Sequence, residues 1–391
     1  MAVSKGGDVA AWLGVVLAIA ALGAIAVMIV VNPSDRTVTG VYAAAATHFF
    51  RGENIYTPEA SDGFLYLPLF AMIYFPFNGL GAAVGNLLWR AVGVVLLGFA
   101  LRRTVRRLNS GRDTSQLMGM TLLFAICGAA GAVRNGQSTV LLLTATLLAF
   151  EAAYDRRFVG AAAWATFAVV SKPLGIVVWL SIAGTRRKSV PWLLAFLIVA
   201  LLAPAAFVDV KYVYYLYSQF FAMLTNVSPE LGRDAPWTDF MALFRALGLS
   251  VDTNVVAIIR AVAAFMTYLG LLLLTRKDDY LTASLIPATF ACSYMLLFNP
   301  RAEINTYILM AVPYGLVAAY LLRATDRTFA GVVVAVACVA LGTGALGPKV
   351  MKLFDPWSKP VLLIVCLGVC YAAVLRNPTR NALRMDDPRG V

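Results

Sequence analysis

Three carboxylates, Asp35, Glu53 and Asp62, stand in polar stretches between apolar runs early in the chain. A carboxylate so placed can take a proton from a hydroxyl as it attacks. Cations occupy other short turns: Lys172 in Ser171-Lys172-Pro173, and Arg301 in Asn299-Pro300-Arg301. A fixed cation can hold negative charge that develops as a bond breaks. Arg134 and Gln137 share one Asn-Gly turn, Glu303 and Asn305 follow Arg301, and Tyr42, Tyr56 and Tyr66 accompany the early acids. Other chemistries have little to work with. There is one histidine, His48, so a metal centre or relay built on several histidines is not expected. The five cysteines all fall inside apolar runs and read as small packing residues. No spacing of ligands suits a metal, and neither a metal nor a cofactor is expected.

The elements that position these residues must lie in lipid. Of 391 residues, 61% are hydrophobic and 13% charged, where a soluble domain carries about 25% charged residues. A single soluble core could not bury that much apolar surface. The net charge of +12 would suggest nucleic acid in a soluble protein. Here Lys and Arg collect in short loops, so membrane lipids are the expected partners and nucleic acid is not. The first apolar run, Val9–Val31, is too long for a secretory signal core and reads as an uncleaved membrane helix. The expectation is an all-α, polytopic membrane bundle, one transmembrane domain over residues 1–391, with about twelve crossings.

Charge sets the topology. With the N-terminus inside, the basic clusters around Arg102–Arg107, Arg156-Arg157, Arg186–Lys188, Arg276-Lys277, Arg323–Arg327 and the C-terminal tail all fall on the cytoplasmic side. Two conditions follow. Phe64–Gly79, with Pro68 and Pro76, must not cross, and is expected as a re-entrant or juxtamembrane segment. Phe158–Gly184 must make two short crossings that turn at Ser171-Lys172-Pro173, where a proline breaks the helix. The outer face then holds a first loop over residues 32–82 with juxtamembrane and re-entrant segments. A second outer loop covers residues 209–252. The cytoplasmic loops are short and basic, so an active site is expected on the extracytoplasmic side of a multi-pass plasma-membrane protein.

Arg90 and Arg260 interrupt apolar runs about seven residues, or roughly 10 Å, from the outer end. Such a charge faces a polar cavity or snorkels back to the surface.

The stretches Val41-Tyr42-Ala43-Ala44-Ala45, Arg51-Gly52-Glu53-Asn54-Ile55-Tyr56 and Phe64-Leu65-Tyr66-Leu67-Pro68-Leu69 resemble the first outer loop of glycosyltransferase family 87. Arg134-Asn135-Gly136-Gln137-Ser138 and Ser171-Lys172-Pro173 follow in the order and spacing of that family. The turn from Asn299 to Tyr307 looks like its late outer loop. The resemblance implies a membrane enzyme that moves a sugar, often mannose, from a polyprenyl-phosphate donor to a lipid or glycan acceptor by inverting displacement. On that reading Asp35 is the general base, with Glu53 and Asp62 as the alternatives. Lys172 and Arg301 hold the leaving phosphate, and Arg134, Glu303, Arg90 and Arg260 are further candidate substrate-binding residues. Gln137 and Asn305 hydrogen-bond a sugar, and Tyr42, Tyr56 and Tyr66 line the pocket. One departure stands out. The family carries an aspartate four residues before the first-motif tyrosine, and this chain has Val38 there. The other function classes to weigh are a lipid or solute transporter or flippase and an inactive transferase-like scaffold. The chain lacks the internal repeat a transporter tends to show.

Overall fold

The structure, a computed structural model, describes residues 5–56, 63–109, 114–226, 237–324, 326–342 and 356–375, with Lys349 and Phe354. Among them all regular elements are helices and no strand occurs. The first half comprises α1 (Lys5–Val31), α2 (Thr39–Arg51), α3 (Pro68–Asn78), α4 (Ala82–Leu108), α5 (Thr114–Asn135), α6 (Thr139–Tyr154), α7 (Phe158–Ser171) and α8 (Ile176–Thr185). Then come α9 (Val190–Leu202), α10 (Val210–Asn226), α11 (Met241–Ala246), α12 (Thr253–Leu274), α13 (Ile286–Leu297), α14 (Ile308–Leu322), α15 (Thr328–Ala340) and α16 (Ser358–Leu375).

Among the described residues, six helical stretches are long and apolar enough to cross a membrane: Gly7–Val31, Ala82–Leu108, Thr114–Asn135, Arg187–Ala206, Thr253–Leu274 and Ile304–Leu322. Shorter apolar helices cover Thr139–Tyr154, Phe158–Ser171, Pro173–Thr185, Leu281–Leu297, Thr328–Ala340 and Ser358–Ala373. These positions coincide with the apolar runs of the sequence. Large apolar side chains such as Ile19, Val95, Phe265 and Met266 point outward. Water would reject that surface and lipid accepts it. Inside, α6 and α14 are buried on almost every side. Small residues let helices approach closely. A Cβ on Gly14 of α1 would stand 2.0 Å from the Gly119 carbonyl oxygen of α5.

Two local features concern segments that the charge pattern singled out. Lys172 is extended, at φ −160° and ψ 133°, and ends α7 before Pro173. Gly175 then folds the chain back on α7, where a Cβ would lie 2.2 Å from the Ala168 carbonyl. At the end of α8, Arg186 donates to the carbonyls of Ala153 (3.1 Å) and Thr275 (2.8 Å). The hairpin therefore returns to the end where α7 began. The second feature is α3. With 11 residues it rises about 16 Å, too little to span roughly 30 Å of hydrocarbon. Its Asn78 donates to Thr47 Oγ1 of α2 at 2.9 Å, and the Tyr66 hydroxyl just before it meets Tyr42 of α2 at 2.9 Å. It runs alongside α2 and leads back to the start of α4.

The loops divide between two ends. At one, Arg103, Arg107, Glu151, Asp155, Arg157 and Arg186 meet. At the other, the link at 134–139 meets residues 32–38, Lys172 and Glu303.

Candidate active site

The link between α5 and α6 is the hub of the second end. Six consecutive residues reach five different segments. Arg134 donates to Asp35 Oδ2 at 2.9 Å. The Asn135 carbonyl accepts from the Val38 amide at 3.0 Å and the Thr37 hydroxyl at 3.1 Å. The Gly136 carbonyl accepts from the Trp89 indole at 2.9 Å. Gln137 Nε2 donates to Glu303 Oε2 at 3.0 Å. The Ser138 amide donates to the Tyr42 hydroxyl at 3.3 Å, and Lys172 Nζ to Thr139 Oγ1 at 3.4 Å. The link can be this tight because Gly136 sits at φ +72°, where a side chain is strained. A Cβ there would also meet Thr39 Cγ2 at 2.7 Å and Arg90 Cζ at 3.1 Å.

Arg90 holds the hub from below. Its guanidinium donates to the carbonyls of Val133, Arg134 and Asn86 and to Thr37 Oγ1, over 2.7–3.1 Å. Two of those carbonyls close α5, whose last carbonyls have no partner within the helix. A cation there also suits the negative end of the helix dipole. Arg90 is thus spent on the protein's own oxygens, a frame residue beside the site.

Tyr42, Tyr56 and Tyr66 are buried together. The Tyr42 ring lies 5.0 Å from Phe70, 5.4 Å from Tyr74 and 6.0 Å from Trp89, and the Tyr56 hydroxyl donates to the Tyr66 carbonyl at 2.8 Å. Burial, then the neighbouring Tyr66, push the Tyr42 phenol well above its ordinary value, so it stays neutral. These rings pack α2 against α3 and α4 and carry the loop that bears Asp35.

Next to them is a cavity of about 200 Å³, lined by Ser34, Thr37, Thr39, Tyr74, Asn78 and Asn86 among others. It is smaller than the roughly 300–1,000 Å³ of drug-sized sites, and its wall mixes rings with hydroxyls and amides. Asp35 follows the lining residue Ser34 and is half exposed, though it is not itself part of the lining. Ser138 Oγ, Ser171 Oγ, Asn135 Oδ1 and Thr306 Oγ1 are buried near the hub without a hydrogen-bond partner. Buried polar atoms in that state need water or a ligand.

The other candidate residues divide. Asn305 packs on the last turn of α5, its Oδ1 2.8 Å from where a Cβ on Gly131 would lie. Arg301 stacks over the Trp237 ring at 5.6 Å. Glu53 is not part of the hub. It pairs with His48 at 3.4 Å beyond the far end of α2, and α2 has 13 residues, so about 18 Å of helix separates it from Thr39. Asp62 lies outside the described residues.

Two buried acids were not singled out from the sequence. Glu151, at the opposite end, accepts from Arg103 Nε at 2.8 Å. An acid inside the apolar run of α6 was a signal available in the sequence. Asp239 accepts from Arg245 at 2.9 Å and faces Arg260 at 3.8 Å. Burial pushes its carboxyl up, against the opposing pull of Arg245 and Arg260. In the sequence it looks like any loop acid. Arg260, expected to face a cavity or snorkel, instead has this counter-ion.

The family model of glycosyltransferase family 87 matches residues 64–300, more than half of the chain. The match begins after Asp35, Tyr42 and Glu53. Neither a curated protein nor a solved structure matches.

Proposed function

The chain belongs to glycosyltransferase family 87, and from that premise we propose a membrane enzyme that takes a mannose-like sugar from a polyprenyl-phosphate donor. The acceptor is a lipid or glycan on the outer face of the plasma membrane. The acceptor hydroxyl attacks the anomeric carbon, and its proton goes to the Asp35 carboxylate. The bond from that carbon to the phosphate oxygen breaks with inversion. The polyprenyl phosphate leaves with its charge held by Lys172 and Arg301. Fixed cations of this kind are the ordinary means of stabilising such a leaving group.

The observation that carries this reading is the Arg134–Thr139 link. It ties Asp35, Gln137 with Glu303, and Lys172 into one end of the bundle beside a cavity with a wall of rings, hydroxyls and amides. That is the lining a sugar would need. Arg134 orients the Asp35 carboxylate at 2.9 Å. Asp35 stands three residues ahead of Val38, and residues 32–38 form a loop, which tolerates such a displacement of the base.

Asp35→Asn, Glu53→Gln and Asp62→Asn, assayed side by side at matched membrane levels, test the assignment. General-base catalysis contributes about 10²–10⁴-fold, so Asp35→Asn is expected to lower turnover by at least the smaller figure. Glu53→Gln should leave turnover within a few-fold. Full turnover in Asp35→Asn, with loss in either other variant, would move the base. No effect in any of the three would remove the main support for sugar transfer.

A further inference from the structure

Beyond the hub, the structure brings together three guanidiniums and an indole from separate segments. Arg245 comes from α11, Arg260 from α12, Arg301 from the late turn and Trp237 from the segment before α11. One buried carboxylate, Asp239, faces Arg245 at 2.9 Å and Arg260 at 3.8 Å. The second distance is too long for a hydrogen bond. Arg301 stacks on Trp237 at 5.6 Å. The exposed Glu303, two residues on, is engaged with Gln137. The cluster is therefore rich in positive charge and in N–H donors.

Several donors are buried and unmet. Arg245 Nε, Arg260 Nη2 and Trp237 Nε1 have no hydrogen-bond partner, although Arg245 is only 8% exposed. Leaving such groups unpaired in a low-dielectric setting is costly. Had the cluster only needed to neutralise Asp239, one arginine would have been enough. Three N–H groups without an acceptor, under a net positive charge, call for an oxyanion.

We propose that Arg245, Arg260 and Trp237, with Arg301, form a site for a phosphate group. The site is open to lipid on one side. Arg260 is a quarter exposed, and its helix neighbours Ile258 and Val262 point outward. A phosphate borne on a lipid can enter there sideways. The site joins the hub through the late turn, where the Thr238 amide and hydroxyl both donate to the Ala302 carbonyl, at 2.8 and 2.7 Å. That the phosphate is the sugar donor's rests on the transferase reading; that an anion binds here does not.

The test is binding, measured without turnover, on the full chain in phosphatidylcholine nanodiscs. The probes are a short prenyl monophosphate, the corresponding prenyl alcohol and inorganic phosphate. A hydrogen bond to a charged group is worth about tenfold or more, so Arg260→Gln should weaken prenyl phosphate binding by at least that. Trp237→Phe keeps the ring under Arg301 and removes one donor, for an expected loss of about three- to tenfold. Binding of the alcohol should be the same in all three proteins. Competition by inorganic phosphate, lost in Arg260→Gln, would support a site for phosphate itself. Absence of competition, with both losses present, would support one that needs a lipid-borne phosphate. Affinities within twofold of the unmodified protein in both variants would overturn the site. Intact binding differences with no sugar transfer from any prenyl-phosphate sugar would count against the transferase reading alone.

Discussion

At the basic end of the bundle, two acids hold three arginines. Glu151 pairs with Arg103 and Arg157, and Asp155 with Arg107 and Arg157. At the opposite end Asp35 holds only Arg134, and both side chains remain partly exposed. Lys172 there meets a neutral hydroxyl, and several hydroxyls are buried without partners. The first arrangement clamps α4 to α6 by pairing each of its acids with two arginines. The second leaves cations and hydroxyls with valences unfilled at the edge of a cavity. Such a difference separates a strut from a site, because a ligand can be held only by groups the protein has not already used.

The comparison can be broken most completely by sidedness. In a background with the exposed Cys127 replaced by Ala, Ser34→Cys and Lys188→Cys should differ in an all-or-none way. An impermeant thiol reagent applied to intact cells should reach Ser34→Cys and not Lys188→Cys until the membrane is opened. The reverse pattern would put the hub in the cytoplasm. Next in size is Glu151→Ala. Removing one partner of a buried ion pair costs about 3–5 kcal/mol. Arg103 and Arg157 are 35% and 51% exposed, which places this change near about 3 kcal/mol. It should show as a lower denaturant midpoint, with turnover per folded molecule unchanged. Lys172→Ala should do the opposite. Loss of a charged hydrogen bond, about 1.5–3 kcal/mol or 10- to 150-fold, should fall on donor use while the midpoint stays put. Donor use within twofold would take Lys172 out of the site. Smallest is Arg107→Ala. This largely exposed pair with Asp155 is worth about 0.2–1 kcal/mol, and a shift beyond that would mean the strut is more tightly coupled than its exposure suggests.

Much of the fold was legible in the sequence because lipid imposes simple rules. The apolar runs, the break at Ser171-Lys172-Pro173 and the short Pro68 segment all reappear as elements, since length, proline and charge asymmetry act locally along the chain. The site was legible only in part. Gln137, Glu303 and Lys172 stood in turns rich in polar residues, and Asn135-Gly136 marked the tight link. That Arg134 would take Asp35, that Arg90 would close α5, or that Glu53 would lie beyond α2 depends on how helices pack. No residue spacing encodes that. Asp239 and Arg245 were invisible for the same reason: their burial depends on how the segment over 237–246 docks on the end of α13 and on the late turn.

The brevity of α7 reaches beyond the protein. Its 14 residues rise about 21 Å, against roughly 30 Å of hydrocarbon. On the topology drawn from charge, with Arg157 beside Asp155 at the cytoplasmic surface, Lys172 would stop about 9 Å below the far headgroups. A bilayer facing such a hairpin would have to thin there, and the elastic cost of that thinning grows with acyl-chain length. Membrane thickness would then act as a control variable. Short-chain lipids lower headgroups toward Lys172, long-chain or sterol-stiffened ones hold them away, and the same polypeptide would run at different rates in two membranes with identical substrates.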